Sequence, residues 1–211
     1  MIKIGITGGI GSGKTVVSSL LALEGIPVYV ADDESKRLTD TSPDIREKLT
    51  ALIDVSIYAN GTLDRQRLAS LIFSDETLLK HVNGIIHPVV KKDFETWMAQ
   101  QSAKYCALES AILYESHFDN EVDVVLMVYA PVGLRLTRAM IRDGVSEAEI
   151  LKRMNRQMSD NLIRKYADYV IINDDIHPII PQVEAFVESL RNITPKPQYD
   201  TRCPSTIDDY L

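Results

Sequence analysis

Apolar residues along this chain fall into two rhythms. Five short runs, at residues 2–6, 26–30, 105–109, 122–129 and 169–172, are rich in β-branched and aromatic side chains and read as buried strands. Between them apolar positions recur every three or four residues. Val16, Val17, Leu20, Leu21 and Leu23 give helical spacing that ends at Gly25, a stop signal. Alternation of this kind predicts an α/β fold with a five-stranded parallel sheet and crossover helices. The longest gap, about residues 33–104, reads as helical throughout, from Leu68, Leu71 and Ile72 to Ile85, Val89 and Phe94. A helical substrate-binding insertion is expected there, because the carboxyl ends of parallel strands face the ligand crevice. Pro131 opens a helix and Ser146-x-x-Glu149 starts the next as a capping box, so a helical lid is expected over about 135–166. Pro178 and Pro181 open a last helix ending near Asn192, and residues 195–211 are expected to form an extended or mobile tail.

The first strand leads into Gly8-Gly9-Ile10-Gly11-Ser12-Gly13-Lys14-Thr15, a complete G-x-x-x-x-G-K-[ST] phosphate-binding loop. Its glycines let the backbone turn tightly enough for successive amides to point at phosphate oxygens. Lys14 is expected to reach the β- and γ-phosphates, and the Thr15 hydroxyl to hold Mg²⁺. Strand, loop and helix in this order aim a helix N-terminus at a phosphate, so the chain is expected to bind a nucleoside triphosphate. The guanine-reading N-K-x-D and the switch D-x-x-G are absent, which argues against a GTPase.

Composition narrows the partners. The 211 residues suit one core with a lid-like insertion. A net charge of −7 argues against a broad nucleic-acid surface, and no apolar run is long enough to span a bilayer. The first strand begins at once, leaving no room for a signal peptide, and Cys106 and Cys203 form no disulfide framework. A cytoplasmic protein, monomeric or a small homo-oligomer, is the simplest expectation. The charge is uneven: residues 135–165 carry eight basic and four acidic side chains, a candidate polyanion clamp beside the phosphate loop.

Several side chains could do chemistry. Asp32 follows the second strand and is expected at the sheet's carboxyl edge, where it would serve as a base for an attacking hydroxyl or merely as a helix N-cap. Glu109 closes the third strand of the sheet and Glu115 lies just beyond it; one of them is expected to face the site and support the magnesium shell. His87 sits in the helical insertion and shares no metal-ligand spacing with His81, His117 or His177.

Taken together, these motifs resemble the dephospho-CoA kinase family. The similarity rests on Thr7 through Thr15, on Gly61-Thr62-Leu63-Asp64-Arg65 with Leu68 and Ile72-Phe73, and on Asn83-x-x-x-His87-Pro88. It continues through Arg138-x-x-x-Arg142-Asp143, Gln157, and Ala167-Asp168-Tyr169-Val170-Ile171 with Asn173. The family's D-A-D reads Val30-Ala31-Asp32 here, and its P-L-L-x-E reads Ala111-Ile112-Leu113-Tyr114-Glu115. The resemblance implies transfer of the γ-phosphoryl of ATP to the ribose 3′-hydroxyl of dephospho-coenzyme A, with Mg²⁺. It implies Asp32, Lys14 and Arg142 as catalytic residues. It implies a nucleotide site built from Gly9, Gly11, Ser12, Gly13, Lys14, Thr15, Val16, Arg138, Arg142 and Asn173, the last near the adenine. Asp32, Arg65, His87, Tyr114 and Glu115 are implied for the acceptor. Other small-metabolite kinases, or a nucleotide-driven switch module, are the alternative readings of the same phosphate loop.

Overall fold

A computed structural model describes residues 1–59, 61–73 and 75–194; the expected tail at 195–211, including Cys203, lies outside the described residues. The strands are β1 (Ile2–Thr7), β2 (Val28–Val30), β3 (Tyr58–Ala59), β4 (Thr62–Leu63), β5 (Tyr105–Glu109), β6 (Val124–Tyr129) and β7 (Tyr169–Ile172). The helices are α1 (Lys14–Leu23), α2 (Ala31–Thr41), α3 (Pro43–Leu52), α4 (Arg65–Phe73), α5 (Glu76–Ala99), α6 (Val132–Asp143), α7 (Glu147–Met154), α8 (Asp160–Tyr166) and α9 (Ile179–Ser189). Contacts divide the chain into two compact units, residues 30–100 and the remainder.

The larger unit is built on a five-stranded sheet ordered β2-β5-β1-β6-β7, with β1 parallel to β5 and β6, and β6 parallel to β7. Because β1 is central, the chain leaving its carboxyl end emerges where the crossovers diverge to either side, the usual ligand crevice of such sheets. Alternate residues of the central strands, Ile2, Ile4 and Ile6 with Val124, Leu126 and Val128, pack with Val17 and Leu21 of α1 and with Val183 and Phe186 of α9. That is the two-residue period of a strand meeting the apolar stripe of a helix. Start and stop signals act as anticipated. Gly25 adopts a left-handed φ of 78° just past α1, Pro131 and Pro178 cap α6 and α9, and Ser146 and Glu149 complete the capping box of α7.

The smaller unit has its own core, with Leu38, Ile45, Leu49, Ile57, Leu63 and Leu68 buried together with Val82, Ile86, Val90 and Phe94 of α5. Those four α5 residues repeat at every fourth position, one continuous face of the helix. Its middle is not helical throughout as the spacing suggested. Tyr58–Ala59 pairs antiparallel with Thr62–Leu63, turning through Gly61 at φ 87°. The Asn60-Gly61 dipeptide is the signal that marks this hairpin in the sequence.

Candidate active site

The phosphate loop holds three glycines in backbone conformations that L-residues rarely adopt: φ is 146° at Gly8, 79° at Gly11 and 92° at Gly13. Gly13 is the cap of α1, and having no side chain it makes no side-chain capping hydrogen bond at this helix start. Lys14 is buried, and its Nζ donates to the Gly8 carbonyl at 2.9 Å, which stretches the ammonium back across the loop. The Val16 amide donates to the Gly13 carbonyl at 3.0 Å as the helix begins. Ser12 Oγ is buried with no hydrogen-bond partner among the described residues.

Distant side chains hold this loop from several directions. Asn173, directly after β7, donates its Nδ2 to the Ser12 carbonyl at 2.8 Å, and a Cβ at Gly13 would collide with the same amide. Gln157 accepts from the Ile10 amide at 2.9 Å and donates to the Ala111 carbonyl at 2.7 Å. Arg138 of α6 donates to the Asn173 carbonyl at 3.1 Å and pairs with Asp175. Asn173, expected by the adenine, spends its side-chain amide on the loop backbone.

Of the two candidate glutamates, Glu109 is the one that meets the loop. Its carboxylate accepts from Ser18 Oγ at 2.6 Å and lies 3.4 Å from Thr15 Oγ1. A hydroxyl beside a carboxylate is a hard oxygen donor set of the sort Mg²⁺ prefers. Glu115 is turned elsewhere: it accepts from the Met158 amide at 2.6 Å, and burial pushes its carboxyl above the usual glutamate range. Tyr114 is fully buried, with its ring 6.0 Å from that of Tyr166, so its part is in packing rather than in lining a substrate surface.

Within the basic stretch at 135–165, two arginines share one carboxylate. Arg142, 60% exposed, bonds its neighbour Asp143 at 2.7 and 3.1 Å, and Arg153 bonds the same carboxylate at 2.6 Å. The Arg142 bond raises the arginine's own affinity for its proton and, with Arg153, holds the Asp143 carboxyl down at about 2. Arg135 behaves differently: its side chain is 7% exposed and its Nη2 bonds Asp160 at 2.8 Å. As a residue of a basic run it had no separate signal; its burial is a tertiary fact.

In the smaller unit, Asp32 is an exposed residue in the first turn of α2, whose cap is Val30 with no side-chain capping bond. The capping alternative for Asp32 is thereby removed. Arg65 donates to the Lys36 carbonyl at 2.8 Å, to Thr39 Oγ1 at 3.3 Å and to Asp40 at 2.7 Å, tying α4 to α2. His87 lies half-buried within α5, one residue before Pro88.

Comparison with known proteins places these features in a family. The dephospho-CoA kinase family model matches residues 2–178. A dephospho-CoA kinase of Porphyromonas gingivalis is 48% identical over 198 residues, covering 93% of this chain and 98% of the relative. The crystal structure of TT1252 from Thermus thermophilus superposes with a TM-score of 0.79 at 34% identity, over 92% of this chain and 98% of that one. A dephospho-CoA kinase from Campylobacter jejuni, 19% identical, shares the fold with a TM-score of 0.66 over 90% of this chain and 97% of its own. With a phosphate loop braced by Glu109, Gln157 and Asn173, and a family match running through nearly the whole described chain, this protein belongs to the dephospho-CoA kinase family.

Proposed function

We propose that this chain transfers the γ-phosphoryl group of ATP to the ribose 3′-hydroxyl of dephospho-coenzyme A, giving coenzyme A and ADP, the final step of coenzyme A synthesis. The observation that carries the reading is the braced phosphate loop in a chain of this family. The bond from the γ-phosphorus to the β–γ bridging oxygen breaks as the 3′-oxygen attacks in line, and the hydroxyl proton passes to Asp32. In a loose transition state most of the catalysis is positioning and charge neutralisation. The amides of Gly11, Gly13, Lys14 and Thr15 cradle the phosphates, with the Lys14 ammonium turning from the Gly8 carbonyl to the β- and γ-oxygens. Thr15 Oγ1 would hold Mg²⁺, and Glu109, 3.4 Å from that hydroxyl, would support the ion's water shell. When bound, the ion would neutralise charge on the phosphate oxygens. Arg138 and Arg142 supply further positive charge, Arg142 on exchanging Asp143 for phosphate. Arg65 and His87 belong to the acceptor side.

The direct test mixes purified protein, Mg²⁺-ATP and dephospho-coenzyme A and follows both products by mass. Equal formation of ADP and coenzyme A is expected, with Asp32→Asn cutting turnover by about 10²- to 10⁴-fold at nearly unchanged ATP affinity. ADP formed without coenzyme A would return the acceptor to the wider class of small-metabolite kinases. An Asp32→Asn enzyme with normal turnover removes Asp32 from the base role.

A further inference from the structure

Two glycines of the phosphate loop are covered by one residue of α6. The guanidinium of Arg135 lies over Gly9 and its backbone carbonyl packs on Gly11, so that a Cβ at either glycine would collide with it. Arg135 stands in the first turn of α6 and is buried. Its Nη2 donates to Asp160 at 2.8 Å, while its Nε is buried with no hydrogen-bond partner among the described residues. A cation buried against one carboxylate, with a donor left unused, stabilises a fold no better than an apolar pair of similar volume. Such a group points to a role other than stability.

Its surroundings show what that is. Asp160 lies three residues after Gln157, whose amide bridges Ile10 and the Ala111 carbonyl. The segment from Gln157 to the first residue of α8 thus holds the loop twice, through Gln157 at Ile10 and through the Asp160–Arg135 pair at Gly9. Glycines at positions 8, 9 and 11 give this stretch more conformational freedom than residues with side chains would. A binding-competent loop that is only partly populated weakens nucleotide affinity in proportion.

We propose that Arg135 is a positioning residue for phosphoryl transfer: pinned by Asp160, it holds residues 9–11 in the conformation whose amides receive the phosphates. The proposal rests on the kinase reading above and adds a residue to it.

Two variants test it. Arg135→Lys keeps the charge but lacks the planar fork that can reach Asp160 and cover Gly9 together. The double variant Arg135→Met with Asp160→Leu replaces the pair by apolar groups. Equilibrium binding of ATP and of ADP, without acceptor, is the first readout. Both nucleotides should bind about tenfold more weakly, as follows if the competent loop falls to about one tenth of its population. In turnover, KM for ATP should rise by a similar factor, with kcat and KM for dephospho-coenzyme A changing much less. The double variant should melt within a few degrees of the parent; if it does not fold, Arg135→Lys decides. Unchanged nucleotide affinity, with or without a lower melting temperature, would make Arg135 a packing residue and overturn the proposal. Weakening confined to ATP overturns it as well, since that marks a direct γ-phosphate contact. Because binding is read without acceptor, a parent enzyme that fails to make coenzyme A sinks the function and leaves this result readable.

Discussion

In the sheet unit the decisive polar contacts are long-range. Asn173 holds Ser12 from 161 positions away, Gln157 holds Ile10 from 147, and Glu109 holds Ser18 from 91. In the helical unit they lie at the surface: Arg37 with Glu34 and Asp93, Lys48 with Asp44, Arg65 with Asp40, Arg67 with Asp54. Exposed pairs of that kind contribute about 0–1 kcal/mol each, whereas leaving a buried polar group unmatched costs about 1–3 kcal/mol. The difference follows from what each unit must hold. Packed amphipathic helices make their own backbone hydrogen bonds and need little beyond an apolar face, such as Val82, Ile86, Val90 and Phe94. A phosphate loop leaves its amides turned toward a ligand, so its shape has to be imposed by side chains from elsewhere.

The contrast is broken most sharply at glycines. Gly11→Ala puts a side chain on a residue at φ 79° and drives it into the Arg135 carbonyl, a backbone atom that cannot swing aside. A loss of about 3 kcal/mol or more in stability is expected, together with at least tenfold weaker ATP binding. Denaturant unfolding and nucleotide titration measure the two, and a stable variant with normal ATP affinity contradicts the tight packing described for the loop.

A smaller effect sharpens the picture within the sheet unit. Burial raises the Glu115 carboxyl, so the folded protein holds that proton more tightly than the unfolded chain does. Its contribution to stability is therefore fully present below the ordinary glutamate value of about 4.3 and is lost as pH rises through the raised one. Glu115→Gln can still accept from the Met158 amide but cannot ionise. Thermal melts from about pH 4 to 8 should show a shallower pH dependence for the variant and a stability at pH 8 no lower than the parent's. A variant that parallels the parent at every pH would deny Glu115 this role.

The smallest effect comes from the helical unit and has the opposite sign to the first. Gly84 lies on the exposed side of α5 with open space around it. Gly84→Ala should stabilise the protein by about 0.5–1 kcal/mol through helix propensity, read as a raised melting temperature with unchanged turnover. A destabilised variant would mean that this face is occupied.

Legibility in the sequence follows the same division. The five sheet strands, the helix starts at Pro131, Ser146 and Pro178, and the stop at Gly25 could be read directly, because each depends on a few neighbouring residues and on φ, ψ and capping chemistry. The phosphate loop was legible for the same reason, and the family motifs carried the reaction. The 58–63 hairpin does not follow from the helical spacing around it, although the sequence carries an Asn60-Gly61 dipeptide there. Arg142 and Glu115 drew attention through motif positions; one pairs with Asp143 and the other with the Met158 amide.

What the sequence determined by itself is the local chemistry: where the backbone turns, where phosphate binds, and which residue types stand ready nearby. Tertiary structure alone decided which of them meet. The strand order β2-β5-β1-β6-β7, the choice of Glu109 over Glu115 at Thr15, and the burial of Arg135 over Gly9 all join residues far apart in the chain, from 43 positions between Leu126 and Tyr169 to 94 between Thr15 and Glu109 and beyond. Those contacts depend on how apolar faces pack across the sheet, and no periodicity along the chain encodes which charged side chain that packing will enclose.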